Sequence, residues 1–365
     1  MCRTSWSAKP TARSLAWAIT KSWRRSRETP SREAASRAPA GCSRVSVGFG
    51  LIGMGRHGSR YARHLLDGVD GCRLAAFSRR QCAAGEAFAR ECGVPFLPKW
   101  QDVLRHHDVA AAIVVTPPGL NIDICVEAAK AGRAILVEKP LALTVSDARR
   151  IVNAAHDARV PIMTAQTLRF TPVLQRLKQA LANAGPLHYL SLMMRVEPAA
   201  HPWLADPIQS GGGVMLEIGV HLLDMIRFLT NEEPVQVSAE LVRRRTVRVE
   251  DIAFANYALP SGLRCCVEVS RVSGGRMCRV EAIGTAGAWV ADVTQSVLWR
   301  IVGRTADAER VPDRPTLVTV LEEFARSLQS GAAMPVTGED GLRAVAMAEA
   351  AYRSAAEGRP VAIAY

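Results

Sequence analysis

Nowhere in this 365-residue chain does an apolar run approach 18 residues, so no segment reads as a membrane-spanning helix. No C-x-x-C pair occurs, which leaves a structural zinc site without ligands at a workable spacing. The nine cysteines are odd in number and irregularly spaced, with Cys265 and Cys266 adjacent, and do not make a disulfide framework in a protein of this size. For those on expected elements, such as Cys125 and Cys265, a buried reduced thiol is the plainer reading, and a reducing cytoplasm fits it. Acidic residues are scarce in the first 44 positions, where ten Lys and Arg face two Glu. That segment carries +8 of the formal +12, which leaves +4 for everything after it. Nucleic-acid binding by the folded part therefore loses its main support. Leu15 to Ile19 is too short for a signal core, and Arg24-Arg25 precedes no apolar stretch, which argues against export. Residues 1–44 read as a disordered extension, or as sequence upstream of the true start.

What is present is substantial. At 48% hydrophobic, the chain can bury a large core and is long enough for two domains. Val45 to Gly58 reads V-S-V-G-F-G-L-I-G-M-G-R-H-G, an apolar strand ending in G-x-G-x-x-G, and an amphipathic helix with Tyr61, Ala62, Leu65 and Leu66 on its apolar side follows. Gly53 suits a tight turn, Gly55 lets backbone approach a pyrophosphate, and Gly58 permits close packing of helix on strand. The helix start then offers free N–H groups to phosphates. The whole turn, Gly53, Met54, Gly55, Arg56, His57 and Gly58, is expected to hold a dinucleotide, with His57 covering the pyrophosphate.

From Val45 to residue 165 strands alternate with helices, which predicts a Rossmann-type, doubly wound parallel sheet. The expected strands are Arg73–Phe77, Ala110–Val115, Ala134–Val137 and Val160–Thr164. After Gln166 the pattern changes. Helices near Pro172–Ala184 and Gly213–Leu229 are joined by successive strands, Leu187–Arg195, Val235–Arg243, Ala253–Ala258, Leu263–Ser270, Arg279–Ile283, Ala288–Val293 and Val297–Val302. Helices near Leu317–Leu328 and Leu342–Ala356 close the chain. Residues 166–365 are thus expected to form an α+β domain on a mainly antiparallel open sheet, one face packed and one available to a partner.

An NAD enzyme usually places a carboxylate on the ribose at the end of the second strand. Ser78-Arg79-Arg80 stands there instead, and Arg forks with a Ser hydroxyl suit a 2′-phosphate, so NADP is expected over NAD. Thr116-Pro117 and Glu138-Lys139-Pro140 fall at carboxyl ends of parallel strands, where such sheets bind ligands. A partly desolvated Lys139 beside a nicotinamide would have a lowered pKa and could shuttle a proton. Glu217, His221 and Asp224 recur at i, i+4 and i+7 on an otherwise apolar helix, with His221 the natural acid/base and Asp224 placed to orient its ring.

These motifs, in this order, resemble the glucose–fructose oxidoreductase, inositol dehydrogenase and rhizopine catabolism (Gfo/Idh/MocA) family. The resemblance runs from Val45 to about Val361 through G-M-G-R-H-G, T-P-P, A-G-R-A-I-L-V-E-K-P-L-A, L-R-F-T-P, G-G-G-V-M-L-E-I-G-V-H-L-L-D and E-D-G-L-R-A-V-A-M-A-E-A-A-Y-R-S-A. It implies Lys139 as the catalytic or nicotinamide-side lysine, Glu138 on the cofactor ribose, His221 as acid/base, and Arg169 on the cofactor side. It also implies a cis bond before Pro140 and a homodimer or homotetramer formed through the open sheet face. Three departures stand out: Glu217 replaces the usual Asp, Asn121 the usual His after the T-P turn, and Thr167-Leu168 the Asn-Arg before Arg169. The expectation is an NADP-preferring oxidoreductase of a secondary alcohol or ketone in a sugar, polyol or related small molecule, with Lys139, His221 and Glu217 as catalytic residues. The rivals are a cofactor-binding sensor without catalysis and a redox-assisted glycoside hydrolase or lyase.

Overall fold

β1 (Val47–Ile52) is an unbroken run of apolar residues and glycine, buried at every position, as a strand covered on both faces must be. The structure, a computed structural model, describes residues 46–198 and 202–365, and the expectation for residues 1–44 lies outside them. After β1 come α1 (Gly58–Asp67), β2 (Cys72–Ser78), α2 (Cys82–Cys92), α3 (Trp100–Arg105), β3 (Ala111–Val114), α4 (Asn121–Lys130), β4 (Ala134–Val137), α5 (Val145–Asp157) and β5 (Ile162–Thr164). The five strands pair in parallel in the order β2-β1-β3-β4-β5. The order reverses at β1, so a crevice opens at the carboxyl ends of β1 and β3, where such sheets bind their ligands.

The second half holds α6 (Pro172–Leu181), β6 (Leu187–Arg195), a short α7 (Pro207–Ser210), α8 (Val220–Thr230), β7 (Gln236–Val242), β8 (Ile252–Ala258), β9 (Arg264–Ser270), β10 (Met277–Gly284), β11 (Gly287–Asp292), β12 (Val297–Val302) and β13 (Thr305–Arg310). α9 (Thr316–Ser330), α10 (Gly338–Glu357) and β14 (Val361–Ala362) complete the chain. Nine of these strands form a second sheet, antiparallel except where β6 runs parallel to β9. Alternate residues such as Leu190, Leu192, Cys265, Val267 and Val280 face inward, while Phe254 and Ile283 stay exposed on the other face. Both expected sheets are therefore present, and each expected strand lies within two residues of its observed bounds.

Four elements escaped the sequence reading. β13 is exposed at every position and carries no apolar alternation, α3 spans barely two turns, α7 has four residues, and β14 has two. Leu66 also departs from expectation, being exposed while Tyr61, Ala62 and Leu65 are buried. The helix expected over Gly213–Leu229 is broken into a π-helical turn, Met215–Gly219, followed by α8.

The described residues pack as one compact unit, and the closing helices explain why. α9 returns to the first sheet, where Leu321 and Phe324 share a core with Phe49, Tyr61 and Leu65. α10 packs against α5 and β5 on one side and β7 and α8 on the other. The boundary at residue 165 is one of chain order, and the last two helices cross it in space.

Candidate active site

The glycine turn is built as its spacing demands. Gly53 has φ +94°, a left-handed conformation that disfavours a side chain, and a Cβ there would strike the Val115 carbonyl. A Cβ at Gly58 would strike the Gly53 carbonyl, so α1 lies close on the end of β1. At Gly55, by contrast, nothing lies within 4 Å of a would-be Cβ, which leaves the open approach that a pyrophosphate needs. These residues fit a dinucleotide. Met54 has its side chain buried and donates its N–H to the Ser78 carbonyl at 3.1 Å, tying the turn to the end of β2, while Arg56 is exposed. Ser78 is buried, Arg79 half-buried with its guanidinium 3.2 Å from Gln81 Oε1, and Arg80 exposed.

Across the crevice, Glu138 follows β4. Its Oε1 lies 2.8 Å from His57 Nε2 and accepts from the Tyr61 hydroxyl at 2.8 Å, while its Oε2 accepts the Lys139 N–H at 3.2 Å. Burial alone would raise this carboxyl, but hydrogen bonds and charge from His57, the charge of Lys139 and the Tyr61 bond outweigh it and hold the group below its ordinary value. Burial and Glu138 in turn push the Tyr61 phenol well up. Tyr61 is thus a site residue that periodicity had consigned to the helix's apolar side. A buried hydroxyl on such a face needs a partner, and that need was the only signal.

The turn carrying Lys139 is pinned from below. The Lys139–Pro140 bond is cis, as the resemblance implied. Asn121, 1% exposed, donates its amide to the Pro140 and Leu141 carbonyls, each at 3.2 Å, and accepts from Thr116 Oγ1 at 3.0 Å. The departure from His at position 121 therefore supplies a clamp, and it joins the Thr116-Pro117 turn to the Lys139 turn. Lys139 Nζ donates to the Glu217 carbonyl at 2.8 Å. Burial lowers the Lys139 pKa, with Arg271 assisting and Glu138 opposing.

His221 lies in the first turn of α8. Burial, then the charges of Lys139 and His57, hold its imidazole well below the ordinary value, and its Nδ1 has no partner among the described residues. The expectation that Asp224 orients this ring is wrong. Asp224 is fully buried and forks with Arg169, whose Nε and Nη2 lie 2.7 and 2.6 Å from its two oxygens. Arg169 also reaches Asp340 at 2.9 Å, so the side chain expected at the cofactor is engaged by two carboxylates inside the fold. Residues at i, i+4 and i+7 share a face only on a continuous α-helix, and the π turn at Met215–Gly219 carries Glu217 out of that register.

Glu217 is half-buried and pairs with Arg271, which follows β9 and is 7% exposed. The π turn itself is held from a distance. Glu250 accepts the Gly213 N–H at 2.9 Å and the Met215 N–H at 3.0 Å, and the Tyr352 hydroxyl donates to Glu250 at 2.7 Å. Burial raises the Glu250 carboxyl against these bonds, and raises the Tyr352 phenol strongly. A Cβ at Gly213 would strike the Glu250 carbonyl, which explains the last glycine of the triplet. Sequence reasoning missed Arg271, Glu250, Tyr352 and Asp340, because each enters the site from an element far along the chain.

The arrangement joins a dinucleotide cradle to a lysine and a histidine whose protons are loosened by burial, which is the equipment of a hydride-transfer enzyme. Known proteins agree. Residues 47–166 match the oxidoreductase family with an NAD-binding Rossmann fold, GFO/IDH/MocA, and residues 175–290 match the GFO/IDH/MocA C-terminal domain. Inositol 2-dehydrogenase of Rhizobium meliloti is 30% identical over 88% of this chain and 100% of its own length. Myo-inositol 2-dehydrogenase of Thermotoga maritima is 28% identical over 86% of this chain and 97% of its own. The crystal structure of aldose–aldose oxidoreductase from Caulobacter crescentus shares the fold, with a TM-score of 0.81 at 24% identity over 87% of this chain and 100% of that one. With both halves matched, the chain belongs to the GFO/IDH/MocA family and is an NAD-binding-fold oxidoreductase of CH–OH groups.

Proposed function

We propose that this protein oxidises a secondary alcohol of a sugar, polyol or related small molecule, or reduces the ketone, with NADP preferred over NAD. The observation that carries the reading is Lys139, half-buried after β4 with Nζ 2.8 Å from the Glu217 carbonyl and with its charge felt by His221. A nicotinamide held at this crevice supplies the hydride acceptor or donor. Gly53, Gly55 and the start of α1 hold the pyrophosphate, and Glu138, fixed by His57 and Tyr61, takes a ribose hydroxyl. In the oxidative direction the substrate hydroxyl gives its proton to neutral Lys139 Nζ, with His221 as the alternative acceptor. The lowered pKa of Lys139 brings the neutral amine within reach of a milder pH. Glu217, facing the same cleft, binds substrate hydroxyls. The relatives named for inositol support a polyol-like substrate.

NADP preference rests on Ser78-Arg79-Arg80, which offers guanidinium groups and no carboxylate where an NAD enzyme places its acid. The half-exposed outer face of the second sheet, with Phe254 and Ile283 each 41% exposed, supports a homodimer or homotetramer. Cys72, Cys125, Cys265 and Cys278, free and buried, support a reducing compartment. The deciding experiment is calorimetric titration with NADP and NAD at one salt concentration, followed by a polyol and sugar screen read by nicotinamide absorbance. Preferential NADP binding and a net absorbance change are expected. Stronger NAD binding overturns the preference, and turnover without net change favours the redox-assisted hydrolase.

A further inference from the structure

The broken helix before α8 is capped from outside its own sequence. The first four N–H groups of a helix lack partners inside it, and a side chain just before the helix ordinarily meets one or two of them. Here the preceding residues are Gly211, Gly212 and Gly213, which have no side chain to offer. Two distant residues act instead. Glu250 takes the Gly213 and Met215 N–H groups on its carboxylate, at 2.9 and 3.0 Å, and the Val214 N–H on its carbonyl at 3.1 Å. The Tyr352 hydroxyl, from α10, accepts the Leu216 N–H at 3.2 Å and shares that of Gly213 at 3.1 Å. A Cβ at Gly212 would strike that hydroxyl, so the glycines make room for the cap.

Tyr352 is suited to this task. Its O–H donates to Glu250 Oε1 at 2.7 Å, so its one donor and both acceptor positions are used. Burial and the Glu250 charge push the phenol well up, which keeps it a donor across the working pH range. One residue beyond Leu216, the Glu217 carbonyl accepts from Lys139 Nζ at 2.8 Å, the only hydrogen bond that Nζ makes among the described residues. A lysine stem is flexible, and a single fixed acceptor decides where its nitrogen sits. Glu138, Arg271 and His221 are the charged or titratable groups whose influence couples to that nitrogen.

We infer that Tyr352 is a positioning residue for proton transfer: it caps the π turn from α10, and the capped turn holds the Glu217 carbonyl that aims Lys139 Nζ at the substrate carbinol. This rests on the oxidoreductase reading above. The hydroxyl acts on the lysine through the backbone of Leu216 and Glu217.

The test is Tyr352→Phe, which keeps the ring and removes the hydroxyl. Alcohol oxidation is followed across pH for kcat and KM, with dinucleotide titration and denaturant unfolding as controls for folding. A fall of about tenfold in kcat is expected, with KM and the dinucleotide Kd within about twofold. The acidic limb of the kcat profile reads the loss of the Lys139 proton. It should move down by about half a pH unit, because the ammonium form loses a held acceptor. Ser354→Ala supplies the contrast, since Ser354 Oγ accepts the Ala239 N–H at 3.1 Å and ties α10 to β7 away from the turn. It should cost stability and leave the limb in place. An unchanged kcat, a limb that stays or rises in Tyr352→Phe, or a limb that shifts equally in Ser354→Ala overturns the inference. Should Tyr352→Phe fail to fold, Glu250→Gln carries the same test from the other arm of the cap. Absence of turnover in the unmodified protein strikes the proposed function and this inference together, whereas full turnover in Tyr352→Phe strikes this inference alone.

Discussion

On the nucleotide side of the crevice, Glu138 is met by His57, Tyr61 and a backbone amide. On the substrate side, His221 Nδ1 and Arg271 Nε are buried without a partner among the described residues. The first side is finished before any ligand arrives, and a finished polar network holds its geometry rigidly. The second has polar capacity left over, and buried polar groups without partners are costly enough that a ligand which satisfies them gains affinity and selectivity. The proposed cofactor contacts are thus preformed, whereas the proposed substrate side is left incomplete.

Lys139→Met tests that division most severely. It should lower kcat by about 10²- to 10⁴-fold, the span of a lost general acid–base, while leaving the dinucleotide Kd within about twofold. Stopped turnover together with lost cofactor binding would show that the two sides are not separable. Arg169→Met comes next, since it leaves Asp224 fully buried with only the more distant Arg227 at 3.7 Å. Denaturant unfolding should report a loss of about 3–5 kcal/mol, as for other buried pairs broken at one partner. A loss near zero would mean that Arg169 serves the cofactor after all.

Glu250→Gln sharpens the comparison from within the substrate side, because an amide oxygen can accept one of the two N–H bonds from Gly213 and Met215 but its NH₂ faces the other. A stability cost of about 1–3 kcal/mol and a lower kcat are expected, with cofactor affinity intact. On the nucleotide side, Arg79→Ala should weaken NADP by about tenfold and leave NAD unchanged, as paired titrations would reveal. The smallest effect concerns pH. His221 stays neutral in the fold well below its ordinary value, whereas in the unfolded chain it takes a proton near 6.5. Its contribution to stability is therefore complete above 6.5 and falls as the pH drops from there toward the native pKa. The Tm difference between the wild type and His221→Gln should shrink across that window, and a constant difference would refute the assignment.

The nucleotide half was legible because its signals are local. Gly53, Gly55 and Gly58 sit between a strand and a helix that their own neighbours dictate, and Glu138-Lys139 follows a strand recognisable from Ala134–Val137 alone. The substrate half was legible only as a set of residue types. Where Glu217 and Asp224 point depends on the π turn, and that turn is held by Glu250 and Tyr352, which no window around the helix contains. Arg169 pairs with Asp340, a carboxylate that also caps α10 through Thr337, and a partner so distant along the chain leaves no periodic trace. Helical spacing states which side chains are neighbours on a regular helix, and it fails where tertiary contacts alter the helix itself.

The return of α9 to the first sheet has a consequence for biosynthesis. Phe49, Tyr61 and Leu65 emerge early from the ribosome, yet their covering residues Leu321 and Phe324 are translated more than two hundred and fifty positions later. Throughout that interval the nascent nucleotide-binding half exposes an apolar face, the condition in which chains aggregate or recruit chaperones. A fragment ending at residue 165 would remain in that condition permanently, so this half is not a module that evolution or an engineer could transplant by cutting the gene between its two sheets.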